Sequence, residues 1–151
     1  EIYQAINSFP GSGRRFEKLA ENLYSDYGHH PVEIQATLQM AKELSDDVVL
    51  VYQPHQNVRQ HEIIDQYTDD IFRDANEIYW LPTYLTRENP DLPTLTPQQL
   101  AKNIDKEKVH FAKLDDSLWQ EITAARNSGK LVLCMGAGTI DGWIREQLAK
   151  N

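Results

Sequence analysis

Cysteine is almost missing from this chain, with one residue, Cys134, in 151. No internal disulfide framework is possible, and at this length none is needed, because a folded chain of about 150 residues buries roughly 70% of the surface its unfolded form exposes. Cys134 lies in the apolar run Leu131 to Met135 and reads as a small buried hydrophobe rather than a reactive thiol. No stretch approaches the 18 or more consecutive apolar residues of a membrane span, and no secretory signal is recognisable, so a cytoplasmic protein without membrane association is expected. Basic charge is also short, at 15 Lys and Arg against 23 Asp and Glu, a formal net charge of −8. The basic residues are scattered, and an excess of carboxylates repels a phosphate backbone, so nucleic acid is not expected as a partner. No HExxH element or Cys/His spacing of a metal site occurs, and the phosphate-binding loop with its lysine is absent, so any anion must sit in a local pocket.

What the chain does have is an alternation of short apolar runs with segments of helical period. Asp47 to Gln53 reads as a strand covered on both faces, and Glu77 to Leu81, Val109 to Ala112 and Leu131 to Met135 as further strands. Pro31 to Leu44, with Ile34, Leu38 and Ala41, and His61 to Ala75, with Ile64, Tyr67 and Ile71, read as amphipathic helices. Thr96-Pro97-Gln98-Gln99 supplies an N-cap, a proline at the first helical position and a glutamine three residues on. Leu118, Ile122 and Ala125 mark one more helix, and Ile140, Ile144 and Leu148 another. Strands alternating with helices require right-handed crossovers, so the expected fold is α/β, doubly wound and Rossmann-like, a mostly parallel sheet with helices on both faces. Arg15 to Asp26 is expected as an additional hairpin at one edge. The apolar-periodic stretch Ile2, Ala5, Ile6 and Phe9 runs into Pro10-Gly11-Ser12-Gly13, so residues 1–12 read as a linker or the tail of a preceding domain, and 13–151 as the domain itself.

In an open α/β sheet, ligands bind beyond the carboxyl ends of the strands, which here selects three loops. Ser25 to Pro31 carries Asp26 and places His29 and His30 at the positive end of a helix that starts with Pro31. Gln53 to Arg59 follows the most convincing strand, and Arg59 offers a guanidinium fork to a carboxylate or phosphate. Met135 to Thr139 brings Gly136 and Gly138, although the full GxGxxG pattern is missing. Taken singly, each has a bland reading: histidines that cap a loop, an arginine on the surface, glycines that let a helix pack.

Together, Gly13-Arg14-Arg15-Phe16-Glu17, Asp26-Tyr27-Gly28-His29-His30-Pro31, Gln53-Pro54-His55 with Arg59, Tyr84 with Glu88 and Pro90, and Gly136-Ala137-Gly138 follow an order that resembles the C-terminal domain of Mur ligases along essentially the whole chain. The pairing of HHP with QPHxxxR is most similar to the branch that uses L-alanine; the branch that recycles murein tripeptide shares HHP and is the alternative. The resemblance implies an ATP-dependent, amide-forming ligase of peptidoglycan precursor synthesis, acting on UDP-N-acetylmuramate and L-alanine through an acyl phosphate. It further implies N-terminal and central domains, with magnesium bound mainly by the central one and this domain inactive alone. Carried over position by position, Arg15 and Asp26 would contact the nucleotide, and Tyr27, His29 and Arg59 the amino-acid side. His29 would act as the catalytic donor to a phosphate oxygen, and Arg14, His30 and His55 would form a supporting shell.

Two positions depart from the family pattern. Ser25 stands where many members have a second aspartate, and Gln56 where many have an arginine, which leaves Arg59 to carry more of the amino-acid contact. A stand-alone nucleotide or small-ligand module using the same crevice, and a purely structural or interaction domain, remain the readings from other classes.

Overall fold

The computed structural model describes residues 15–150; the expected leading segment 1–12 and Arg14 lie outside the described residues. Six strands form one mixed sheet: β1 (Glu17–Ala20), β2 (Leu23–Asp26), β3 (Val48–Tyr52), β4 (Glu77–Trp80), β5 (Val109–Phe111) and β6 (Leu131–Met135), in the order β1-β2-β6-β3-β4-β5. Only β1 is antiparallel. The edge hairpin expected over Arg15 to Asp26 is present, its turn made by Glu21 and Asn22, the latter at a φ of 62°. Each remaining strand falls within a residue or two of its expected bounds.

The helices are α1 (Pro31–Leu44), α2 (Asn57–Ile63), α3 (Pro97–Leu100), α4 (Asp116–Asn127) and α5 (Ile140–Ala149). Along β3, Val48, Leu50 and Tyr52 face a core shared with Ile34, Leu38 and Ala41 of α1 and Ile63 of α2, whereas Val49 and Val51 face one shared with Leu118, Ile122, Ile140 and Ile144 of α4 and α5. Both faces are therefore dry, which is why all five residues of β3 and of β6 are buried and why the apolar runs are continuous rather than alternating. Cys134, in β6, has no exposure, and burial pushes its thiol up, out of reach of ionisation at neutral pH.

One expectation fails. His61 to Ala75 is not a helix: α2 begins earlier, at Asn57, and ends at Ile63, a 3₁₀ turn covers Ile64–Gln66, and 69–74 run in turns. Of the apolar residues that suggested helical period, Tyr67 is fully buried, and Ile64 and Ile71 are partly buried against the same core. Tyr67 and Phe72 are fully buried among Tyr52 and Trp80, with ring centroids 5.1–6.4 Å apart. Tyr67 directs its hydroxyl to Gln60 Oε1 at 2.6 Å, which fixes it in extended backbone and ends the helical path. Tertiary packing of large aromatics thus overrides the local period. The Thr96 start is a true capping box, yet the helix it opens has four residues.

The parallel strands end on one line: Asp26, Met135, Tyr52, Trp80 and Phe111 are successive partners across the sheet. From there β2 and β3 send the chain to one face while β6, between them, sends it to the other. Diverging connections of this kind open a crevice at the carboxyl edge.

Candidate active site

Three carboxylates build the rim of that crevice by holding backbone. Asp26, at the end of β2 and 3% exposed, accepts from Phe16 N through Oδ2 and from Gly28 N through Oδ1, both at 2.7 Å. Burial raises its pKa, outweighing these two donors and the Arg15 charge, which act in the opposite direction. A Cβ on Gly28 would stand 2.9 Å from Asp26 Oδ1, so the loop requires glycine to turn this tightly.

Glu33, on the first turn of α1, accepts from the backbone N–H groups of His29 and His30 at 3.1 Å each and pairs with Arg15 at 3.6 Å. Burial would raise its pKa, but those two donors together with Arg15 and His29 hold it below the ordinary value. His30 is the N-cap of α1, accepting from Val32 N, so His30 and Glu33 form a capping box with histidine in the usual serine or threonine place.

Glu88, in the long connection after β4, accepts from Asn57 N and Thr86 N through Oε2 and Val58 N through Oε1 at 2.8–2.9 Å. Burial opposes and the three donors favour its charge, as does His55, and the balance lies below the ordinary glutamate value. It thereby replaces the missing cap of α2, whose N-cap residue Gln56 makes no side-chain cap and sits at φ 69°, ψ 111°. Gln56 is held in that left-handed region by its own N–H, which reaches Tyr84 O at 2.7 Å, and by the clamp that follows it.

The polar side chains picked from the sequence lie along this rim. Tyr27 is 41% exposed and meets the His29 ring edge-on at 5.9 Å, and the His29 and His55 rings lie 5.1 Å apart. His29 Nδ1 is 3.3 Å from Tyr27 O. A carbonyl only accepts, so Nδ1 carries hydrogen there, which leaves Nε2 as the ring's other polar atom. His55 stacks on Tyr84 at 5.6 Å, and its buried Nδ1 has no hydrogen-bond partner. Burial, then the positive neighbours His29, Arg59 and Arg87, lower its pKa against the pull of Glu88, so it is neutral at neutral pH. Arg59 engages Glu62 through Nε at 3.3 Å, leaving its terminal amino groups for a ligand. Arg15, His29, His55 and Arg59 thus form one series, linked by Glu33 at one end and by the proximity of the His29 and His55 rings and of Arg59 at the other.

Several residues of the rim were not picked out as site residues from the sequence. Glu33 carries a faint signal, a glutamate three positions after the helix cap, obscured because the cap is histidine. Gln53 accepts from Ile140 N at 3.1 Å and donates to Thr139 Oγ1 at 2.9 Å, binding the β3 and β6 loops across the crevice. A Cβ on Gly138 would lie 2.5 Å from Tyr84 Cγ, so the glycine that suggested anion binding instead admits the Tyr84 ring. Among the described residues no three His, Cys, Asp or Glu side chains group as a metal site, and no helix is long and apolar enough to cross a membrane.

The sequence model described as Mur ligase, glutamate ligase domain, matches residues 14–138. A UDP-N-acetylmuramate--L-alanine ligase of Rickettsia felis is 36% identical over 96% of this chain, and one of Jannaschia sp. is 34% identical over 95%. The chain spans about a third of the length of these relatives, 32% and 31%. Among solved structures, the UDP-N-acetylmuramate-alanine ligase of Thermotoga maritima matches with a TM-score of 0.65 at 24% identity, over 97% of this chain and 32% of that one. The folylpolyglutamate synthase of Mycobacterium tuberculosis matches with 0.60 at 12% identity, over 91% and 32%. At those identities the likeness speaks to the fold, a Rossmann-like α/β sheet. The match over most of its residues, on a fold of the expected topology, shows that this chain belongs to the Mur ligase C-terminal family, the glutamate ligase domain.

Proposed function

We propose that the chain is the C-terminal domain of an ATP-dependent ligase that joins L-alanine to UDP-N-acetylmuramate. ATP supplies a phosphoryl group to the muramoyl carboxylate, giving an acyl phosphate and ADP. The alanine amine, having lost a proton, attacks the acyl carbon; the tetrahedral intermediate expels phosphate and loses a second proton to leave the amide. The observation that carries this reading is the series Arg15, His29 and Arg59 along one carboxyl edge, in a chain 36% identical to a relative named for this reaction.

In this reading each side chain positions or stabilises charge, the main task where two anionic substrates must be joined in a site closed to water. Arg59 holds the alanine carboxylate with the free edge of its fork. Tyr27 covers the same side. His29, held by Tyr27 O through Nδ1, donates from Nε2 in its protonated form to a phosphate or acyl phosphate oxygen. Arg15 braces the nucleotide phosphates, and Asp26, whose oxygens each retain a lone pair beside the N–H they accept, takes a ribose hydroxyl. Magnesium, as the family resemblance implies, is held mainly by the central domain of the ligase. Alone, the C-terminal domain is inactive.

The full-length protein tests this by phosphate release from ATP with UDP-N-acetylmuramate and, in turn, L-alanine, glycine, L-serine and the murein tripeptide. Release that depends on L-alanine is expected. Release with the tripeptide alone, or with none of the four, overturns the reading.

A further inference from the structure

We infer that Arg145 and Asp141 of α5 are positioning residues for the nucleotide side of this site, acting through β1; the inference rests on the ligase reading above. Among the described residues the edge strand β1 pairs with one neighbour, β2, and its register is interrupted between Lys18 and Ala20. Phe16 N, which holds Asp26 Oδ2, and Arg15 both belong to the segment immediately before β1. Phe16 is anchored by its buried ring, stacked on Tyr24 with centroids 4.7 Å apart, and the strand that follows it is held further from outside the sheet.

The Arg145 guanidinium does so with its two edges. Nε donates to Asp141 Oδ2 at 2.9 Å, one turn earlier on α5, and NH2 donates to Glu17 Oε1 at 2.8 Å, the residue next to Phe16. The other oxygen of the buried Asp141, Oδ1, receives the hydroxyl of Ser25 at 2.6 Å, the residue next to Asp26. One set of polar bonds thus runs from Ser25 of β2 through α5 to Glu17 of β1, and the backbone joins its two ends to the Phe16 N–Asp26 bond. Both ends of the set stand one residue away from the two atoms whose bond shapes the Asp26 loop. Because a guanidinium is planar and has donors in fixed directions, it sets the angle between Asp141 and Glu17 as a single ammonium cannot.

A second arginine clamps the far end of the hairpin and provides the control. Arg126 Nε donates to Glu21 O at 3.0 Å, while Asn22 Nδ2 donates to Arg126 O at 3.1 Å. This clamp supports the same hairpin but lies at its turn, away from Asp26.

The experiment uses the full-length ligase and compares Arg145→Gln, Arg145→Lys, Glu17→Gln and Arg126→Gln, measuring KM for ATP, KM for L-alanine, kcat and the thermal midpoint. Arg145→Gln and Glu17→Gln are expected to raise KM for ATP about fivefold, within the range seen for residues that act through others, with KM for L-alanine unchanged. Arg145→Lys should recover only part of that loss, and Arg126→Gln should lower the midpoint without changing KM for ATP. Glu17 is half-exposed, so its variant keeps the test open if Arg145→Gln does not fold. Equal rises in both KM values, an unchanged KM for ATP in Glu17→Gln, or the same rise in Arg126→Gln would overturn the positioning role. A wild-type protein that releases no phosphate under any of the four acceptors would instead remove the ligase reading on which it rests.

Discussion

Removing Glu88 should loosen the loop that carries Arg59 while leaving the sheet intact. The side chain receives three backbone N–H groups, from Thr86, Asn57 and Val58, and stands in for the absent N-cap of α2. An acceptor at a helix N-terminus contributes about 0.5–2 kcal/mol, and charge-assisted bonds to several donors put Glu88 at the top of that range before screening. Its carboxylate is partly open to solvent, which replaces some of what is lost, so Glu88→Ala is expected to cost about 1.5 kcal/mol. For a chain of this size that lowers the thermal midpoint by about 3 to 6 °C. Glu88→Gln keeps one acceptor oxygen where two are used and should cost about half as much. The pH dependence has a definite sign. Because the folded-state pKa of Glu88 lies below the ordinary value of 4.5, the charged side chain contributes stability above that value, and the contribution disappears as pH falls through the depressed one. The gap in midpoint between native protein and Glu88→Gln, followed by circular dichroism from pH 7 down to 3, should therefore be full at neutral pH and close on the acid side. A gap that does not change with pH, or an alanine variant as stable as the native chain, would refute the reasoning.

Three further outcomes follow from the same geometry. Gly138→Ala, whose methyl must displace Tyr84 or Gln53, should cost about 1–3 kcal/mol by urea denaturation, and a native-like midpoint would mean the Tyr84 ring is not seated as described. In the full-length ligase, Arg59→Ala should raise KM for L-alanine tenfold or more, as expected for about 1.5–3 kcal/mol lost from a charged contact, and leave KM for ATP nearly unchanged; equal changes in both would remove Arg59 from the amino-acid side. Asp26→Asn turns an amide N–H toward one of the two donors it should accept, so KM for ATP should rise. Asp26 has a raised folded-state pKa, so in the native chain burying its charge costs stability as pH climbs from 3.8 through that raised value; calorimetry on the asparagine variant should show that part of the slope gone.

The architecture was legible in the sequence wherever burial on both faces wrote a continuous apolar run, as in Asp47 to Gln53 and Leu131 to Met135, and wherever local chemistry marked an end, as at Pro31 and Thr96. It was not legible at His61 to Ala75. There Ile64, Tyr67 and Ile71 have the spacing of a helical face, but the space beside Tyr52 and Trp80 accepts rings rather than a helix, and only the assembled core determines that. The same distinction applies to the site. Loops that follow strand ends and carry Asp26, His29 and Arg59 could be chosen from order along the chain alone, because strand ends in a parallel sheet share an edge. Glu88, 31 residues from Asn57, and Gln53, 87 residues from Ile140, act on backbone groups far away in sequence. Nothing in their neighbours announces this.

What those distant residues do explains how a chain of net charge −8 arranges its basic side chains along one rim. Carboxylates near cations usually neutralise them, and Asp26, Glu33 and Glu88 all lie close to the series from Arg15 to Arg59. Each, however, directs its lone pairs mainly to backbone N–H groups: Asp26 to Phe16 and Gly28, Glu33 to His29 and His30, Glu88 to Thr86, Asn57 and Val58. Their charge stabilises loops and the first turns of α1 and α2. Each clamp also sits beside a cation it positions: Asp26 beside Arg15, Glu33 beside His29, Glu88 next to the turn that carries Arg59. The acids therefore shape the rim mainly through its backbone, while Arg15 keeps Glu33 and Arg59 keeps Glu62 as ion-pair partners, so an anion arriving at this edge meets a positioned backbone and competes with those carboxylates for the guanidinium groups.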